Sequence, residues 1–300
     1  MISSEKSNLQ NWLLLGALTL IWGSSYILIK KSLVVFSPVE MGSLRISLSF
    51  LACIPFLYKA VQDIPKEKYP YIIFVGLFGT GFPAFLFAFA MVHISSSVSG
   101  IINSLSPLFT VLTGLLLFGV VVTRTKMIGV LIGFLGAIVL VLGKKNLNFK
   151  ADLFYALLPV LATFCYGLNS NFVKRFFPTT NALYVTAIAM SVMGIPSLAV
   201  LFSTNFVFKM QHTEGAIFAF SCVFFLALFG TVIAWLLFYR LVQRTDALMA
   251  ASVTYLIPVV ALAWGLADGE TLNMIQLAGM GLILAGVYFV GKREMERELC

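Results

Sequence analysis

The tetrapeptide Leu77-Phe78-Gly79-Thr80 returns unbroken as Leu228-Phe229-Gly230-Thr231, 151 residues later. With that offset held and no gap, Leu86 and Phe87 meet Leu237 and Phe238, Leu105 meets Leu256, and Pro107 meets Pro258. Over residues 77–112, eight of 36 positions are identical, more than a composition this skewed supplies by chance. Outward from the tetrapeptide the correspondence continues. Trp22-Gly23 ahead of Lys30-Lys31 matches Tyr166-Gly167 ahead of Lys174-Arg175, and Ile54-Pro55 matches Ile195-Pro196. Gly129 and Gly136 match Gly279 and Gly286, while the position equivalent to Glu270 reads as Gly119. The chain therefore divides into two repeats, residues 1–146 and 147–300.

Composition says what medium the repeats occupy. The chain of 300 residues is 60% hydrophobic and 11% charged, against about 25% charged in an ordinary soluble domain. No water-facing surface can be built from so few polar groups. A helix needs about 20 apolar residues to cross the hydrocarbon, and the charged residues mark the gaps between such runs. Residues 9–29, 41–58, 69–123, 127–143, 153–173, 180–203, 215–239, 247–267 and 271–291 carry almost no charge. The run 69–123 is too long for one span and folds back at His93 to Ser95. Ten transmembrane helices result, each read as helical because backbone facing lipid must satisfy itself. The fold class is all-α integral membrane. The first run lacks a small-residue cleavage site, which reads as an uncleaved span.

Five spans per repeat is an odd number, so the second repeat enters the bilayer from the opposite side. Two inverted five-helix units related by an axis in the membrane plane form a recurrent plan for carriers, with the solute near midplane. The net charge of +8 reads as orientation, since no basic stripe for nucleic acid exists. Of the 20 Lys and Arg, thirteen fall on the side of the N-terminus. Six, Lys30, Lys31, Lys144, Lys145, Lys150 and Lys209, fall on the other, and Arg45 sits inside a span. The positive-inside rule places both termini in the cytoplasm. Cys53, Cys165, Cys222 and Cys300 show no Cys-x-x-Cys spacing, so no metal site, redox motif or disulfide is expected.

With Ile21-Trp22-Gly23-Ser24-Ser25-Tyr26 in the first span, Arg45 in the second, Ser95 to Pro107 through the fourth and Gly269-Glu270 after the ninth, the chain resembles the EamA type of the drug/metabolite transporter superfamily over nearly its whole length. That resemblance implies a carrier in the bacterial inner membrane that exports amino acids and related metabolites. The family often has an acidic residue at the end of the fourth span, which Gly119 replaces here.

Several residues are candidates for contact with a solute. Ser95 or Ser96, Ser99, Asn103, Ser106, Thr110 and Thr113 recur at spacings of three and four and share one helix face. They line a cavity or, alternatively, pack tightly and bond their own i−4 carbonyls. Trp22, Ser25, Tyr26 and Ile29 share a face of the first span, and Tyr166, Asn169 and Ser170 one of the sixth. Their rings can stack on a solute while hydroxyls and amides orient it, or they mark the interfacial belt. Trp235, Tyr239, Thr254 and Tyr255 complete the set. Pro83, Pro107 and Pro258 fall inside spans, where they are hinges or static bends. Arg45 is a carboxylate partner for the solute, or else pairs with Glu40, less than two turns away, or snorkels. His93 reads as a loop residue. Gly129-x-x-x-Gly133 reads as packing within the chain, or as a dimer contact.

These readings give a secondary transporter working by alternating access, an exporter of amino acids with aromatic or apolar ones favoured by the aromatic residues. Its partners are a small-molecule substrate and the lipid bilayer, without nucleic acid, as a monomer or homodimer. No cofactor or metal is expected, since no Walker lysine loop, no His-Glu-x-x-His and no Gly-x-Ser-x-Gly occurs. An importer of a neutral metabolite such as a nucleobase or vitamin is the alternative transport reading. A membrane-embedded lipid-modifying enzyme is the alternative from another class, and the spans hold neither a paired nucleophile and base nor a core carboxylate to support it.

Overall fold

The computed structural model describes residues 2–120, 123–143, 149–245, 250 and 252–298. Among these every regular element is helical. The first repeat contains α1 (Ile2–Ser32), α2 (Pro38–Asp63), α3 (Tyr69–Gly76), α4 (Phe82–Ala90), α5 (Ser96–Asn103), α6 (Ser106–Phe118) and α7 (Arg124–Leu142). The second contains α8 (Phe149–Phe176), α9 (Ala182–Ser203), α10 (Phe206–His212), α11 (Ala216–Ala227), α12 (Ala234–Arg244), α13 (Ile257–Ala267) and α14 (Met274–Glu298). Seven stretches are long and apolar enough to cross a membrane: Leu13–Ser32, Pro38–Asp63, Lys66–Ala90, Ser96–Phe118, Leu153–Phe176, Ala182–Ser203 and Ala216–Arg244. Helices α7, α13 and α14 are not among the seven, and α13 is short, with 11 residues.

Leu13, Leu20, Leu116, Ile195, Phe202 and Val259 stand more than half exposed. Covering such a side chain is worth about 1.5–3 kcal/mol, so a surface built of them belongs against lipid.

Local chemistry sets the ends of the helices. Ser37 caps α2 with a reciprocal pair: its hydroxyl accepts from the Glu40 backbone N–H at 3.3 Å, and its own N–H donates to Glu40 Oε2 at 2.7 Å. Pro38 follows at a first-turn position where a missing N–H costs nothing. The long run 69–123 turns back between Ala90 and Ser95, as expected, with the Ser95 hydroxyl capping α5. His93 lies in that turn, stacked on Tyr155.

The repeated tetrapeptide proves to be a backbone device. Leu77–Gly81 and Leu228–Ile233 each wind as a π-turn, with bonds reaching five residues back, as from Phe82 N–H to Leu77 C=O. Such turns widen a helix locally and gather at functional sites. Pro107 and Pro258 each sit in the first turn of a new segment, α6 and α13, whereas Pro83 follows the first π-turn within the continuous helical stretch Lys66–Ala90. Pro55, Pro159 and Pro196 also lie inside helices.

Contacts between the repeats obey the sequence offsets. Helix α7 packs most heavily on α14, and α2 on α9. In the first pair the glycines lie backbone on backbone. A Cβ on Gly136 would come 2.8 Å from Gly279 O, and one on Gly286 would come 2.5 Å from Gly129 O. These two contacts exchange when Gly129 and Gly136 are swapped for Gly279 and Gly286. The same holds where Gly23 meets Val260 and Gly167 meets Phe109, and where Gly230 meets Ser25 and Gly79 meets Asn169. Gly129 and Gly133 thus pack within the chain, against α14.

One equivalence needs correction. Helix α6 ends at Gly119 with φ 64°, and α13 is followed by Gly269 with φ 81°. Val120 N–H then donates to Gly114 C=O at 3.0 Å, as Glu270 N–H does to Gly265 C=O at 2.9 Å. Gly119 therefore matches Gly269, and Val120 stands where Glu270 does. The offset slips by one residue before the loop, which an ungapped reading misses.

Candidate functional site

A cavity lies where the repeats meet. Its walls are Trp22, Ser25, Tyr26 and Ile29 from α1, Arg45 from α2, Phe87 from α4, Asn103 and Ser106 at the α5–α6 break, Tyr166 and Ser170 from α8, Trp235 and Phe238 from α12, and Thr254. Four pairs of walls are repeat equivalents: Trp22 with Tyr166, Tyr26 with Ser170, Phe87 with Phe238, and Asn103 with Thr254.

Six rings form a continuous fence. Tyr26 meets Phe87 at 5.7 Å, Phe87 meets Tyr166 at 6.2 Å, and Tyr166 meets Trp235 at 5.6 Å between centroids. Trp235 meets Trp22 at 5.5 Å, and Trp22 meets Phe238 at 5.3 Å. Most of these contacts are edge-on or tilted, the geometry that ring quadrupoles favour. Measured by the centre of a water-sized sphere, the cavity is about 50 Å³. One water needs about 10–15 Å³ on that measure, so the narrow part of the cavity has room for a few waters.

The π-turn of α11–α12 organises the polar wall. Trp22 Nε1 donates to Gly230 C=O at 3.1 Å, and Arg45 Nε donates to Thr231 Oγ1 at 2.9 Å. Arg45 is 7% exposed, and no ion pair among the described residues involves it. The expected alternative, pairing with Glu40, does not occur. Glu40 is held by Ser37 and by Lys209 Nζ at 2.7 Å, which ties α10 to α2. The hydroxyls of Ser25, Ser106 and Ser170 donate to carbonyls of their own segments, Ile21, Asn103 and Tyr166. Toward the cavity they only accept. Asn103 Oδ1 is buried without a protein hydrogen-bond partner. The site thus offers one fixed cation, a set of neutral acceptors, and aromatic walls.

Of the sequence candidates, Trp22, Ser25, Tyr26, Ile29, Arg45, Asn103, Ser106, Tyr166, Ser170, Trp235 and Thr254 reach the cavity. Ser99, Asn169 and Tyr239 are buried behind it, with Ser99 Oγ lacking a partner among the described residues and the Asn169 amide facing the Tyr239 hydroxyl. The side chain of Tyr255 lies outside the described residues. The polar stripe of the fourth span divides. Asn103 and Ser106 face the cavity, whereas Thr110 and Thr113 bond the carbonyls of Ser106 and Phe109. Asn171 Nδ2 crosses from α8 to Thr110 C=O at 2.8 Å and Thr113 Oγ1 at 2.9 Å, so that half of the stripe is packing. The residues missed are Phe87 and Phe238, although the 151-residue offset had already matched them.

At the end of the molecule where α1 finishes, charged groups gather outside the cavity. Glu270 Oε1 accepts from Lys30 Nζ at 2.8 Å and from Ser96 N–H and Oγ at 3.0 and 2.7 Å. Its Oε2 accepts from Ser97 N–H and Oγ at 3.0 and 2.6 Å. Asp268 pairs with Lys30 at 2.7 Å and with Lys31. Burial alone would raise the Glu270 carboxyl, but the Lys30 ammonium and the Ser97 and Ser96 donors outweigh it and hold it down to about 2.

Comparison with known proteins agrees with this architecture. The EamA-like transporter family matches residues 10–142 and again 153–292. An uncharacterized transporter of Archaeoglobus fulgidus is 26% identical over 95% of this chain and 100% of its own. A probable amino-acid metabolite efflux pump of Salmonella typhimurium is 24% identical over 89% and 90%. The uncharacterized inner membrane transporter YedA of Escherichia coli K12 is 26% identical over 92% and 89%. A solved crystal structure covering 97% of this chain and 98% of its own superposes with a TM-score of 0.62 at 18% identity, a likeness of fold.

Proposed function

Since the chain belongs to the EamA-like transporter family, and is thus a multi-pass membrane transporter acting on small molecules, we propose that it is a secondary exporter of amino acids with aromatic or apolar side chains. The observation that carries this reading is Arg45, a buried guanidinium without a carboxylate partner among the described residues, set in a cavity fenced by aromatic rings. A central Arg costs roughly 2.5–3.5 kcal/mol to place in a bilayer, which a solute carboxylate offsets. Asn103 Oδ1 and the serine oxygens accept from the ammonium, and the rings take the side chain. The probable efflux-pump relatives support export and the amino-acid class.

On this reading residues 1–146 and 147–300 are two inverted five-helix units in a bacterial inner membrane, ten helices in all, with both termini in the cytoplasm. The exchange of glycine contacts between the halves supports the two-fold relation. Breaks before Pro107 and Pro258, at the level of Asn103 and Thr254, are where the units flex. Pro83, next to the first π-turn, flexes with them.

Counterflow uptake by purified protein in proteoliposomes, across a panel of labelled amino acids, tests the function. Saturable uptake of apolar or aromatic members is expected, with strong loss in Trp22→Ala and Asn103→Ala at unchanged yield of folded protein. Full transport by both variants would sink the site assignment.

A further inference from the structure

The cavity has two ends, and their closures are unequal. At one end Glu270 fastens three segments: the last turn of α1 through Lys30, the turn after α13, and the first residues of α5. Its side chain is 8% exposed. Helix α13 approaches so closely that a Cβ on Gly265 would lie 2.6 Å from Glu270 Oε2 and collide with Ser97 Oγ. This seam adjoins the cavity. Ile29, next to Lys30, is a cavity wall. Asn103, another wall, ends the same helix that Ser96 begins, roughly 10 Å along at 1.5 Å per residue.

At the other end the equivalent of Lys30 is Lys174, but the equivalent of Glu270 is Val120. Lys174 Nζ donates instead to the terminal carbonyls of α12, Val242 C=O at 3.2 Å and Thr245 C=O. A lysine on neutral carbonyls is a weaker fastening than a lysine on a buried carboxylate that also takes four neutral donors.

We propose that Lys30, Glu270, Ser96 and Ser97 form a gate, the stronger of two locks on the cavity, whose rupture admits the solvent at the α1 end during transport. The inference rests on the alternating-access reading above. The inequality makes closure at this end the resting state of the unloaded protein. The carboxylate is the key part, because among the described residues the second end keeps its lysine and has no acid on it.

The test is solvent access to the cavity, which needs no knowledge of the solute. Ile29→Cys is placed in a background with Cys53, Cys165, Cys222 and Cys300 changed to Ala. Its rate of reaction with a membrane-impermeant maleimide is then measured in intact cells and in inverted vesicles. Glu270→Gln is expected to raise the rate about tenfold from the side facing the α1 end and to lower it from the opposite side. Lys30→Gln is expected to act alike, and it carries the test if Glu270→Gln fails to fold. Val120→Glu offers Lys174 a carboxylate at the position equivalent to Glu270 and is expected to raise access at the α1 end as well. Unchanged rates from both sides in all three variants would overturn the gate. Counterflow on the same preparations separates the two readings. Saturable transport with unchanged labelling removes the gate alone, while changed labelling without transport of any amino acid removes the substrate reading alone.

Discussion

The two halves of the cavity share a backbone and differ in chemistry. At Gly230 and Thr231 the π-turn is fully engaged, with its carbonyl taking the Trp22 N–H and its hydroxyl taking Arg45 Nε. At Gly79 and Thr80 the same turn faces the Asn169 amide, and the Thr80 hydroxyl has no partner among the described residues. The duplicated sequence keeps what the backbone needs, small residues at close approaches and a widened turn. Side chains that meet the solute are free to diverge.

The largest expected effect tests the shared backbone. In Gly167→Ala the new Cβ would lie 2.6 Å from Phe109 C and Thr110 N, atoms that cannot rotate away. A loss of about 3 kcal/mol or more is expected, read as a fall in melting temperature in detergent. Its equivalent, Gly23→Ala, meets the Val260 side chain and should cost less but still destabilise. Tolerance of both would break the claim that close packing is what the repeat preserves.

Arg45→Met tests the divergent chemistry. Transport should fall about a hundredfold, in line with the loss of 2–5 kcal/mol for a buried charged contact. Folded stability should hold or rise, since an unpaired buried cation is removed. A large loss of stability would mean that Arg45 is structural. The twin turns give a finer contrast. Thr231→Val removes the acceptor that aims Arg45, and transport should drop about tenfold. Thr80→Val, its equivalent, removes a hydroxyl that has no partner, and both transport and melting temperature should stay within error or improve. Equal effects at the two threonines would erase the distinction between the halves.

The smallest effect is with pH. A carboxylate held down to about 2 adds stability that is complete above its ordinary value of 4.5 and is lost as pH falls toward 2. The contribution of Glu270, gauged as the difference in melting temperature between the protein and Glu270→Gln, should therefore be constant from pH 5 to 8. A change within that window would show that the carboxyl is less firmly held than its five donors imply.

The course of the spans was legible because charged residues punctuate apolar runs, and lipid leaves the backbone no option but helix. The interruptions were not legible. Leu-Phe-Gly-Thr carries no strong helix breaker, and only its recurrence hinted that it mattered. Mid-span prolines suggested kinks, but a proline that opens a segment reads the same in sequence as one that bends it. Trp22 and Tyr166 stood out as large polar aromatics in mid-span. Phe87 and Phe238 did not, since a chain with 28 phenylalanines gives no single one away. Arg45 announced itself by rarity. Its partner could not be read, because helical spacing offered Glu40, and Lys209, which claims Glu40 together with the neighbouring cap Ser37, comes from a chain segment that spacing cannot bring near.

The seam between α7 and α14 has a consequence for ancestry. Gly129 and Gly136 meet Gly286 and Gly279 reciprocally, so each helix offers the surface that the other requires. A single five-helix unit carrying that glycine pair would already have matched a second copy of itself. Fusing two copies of one gene would then have fixed a partnership that the surface made possible beforehand, and left each copy free to change wherever the seam does not reach.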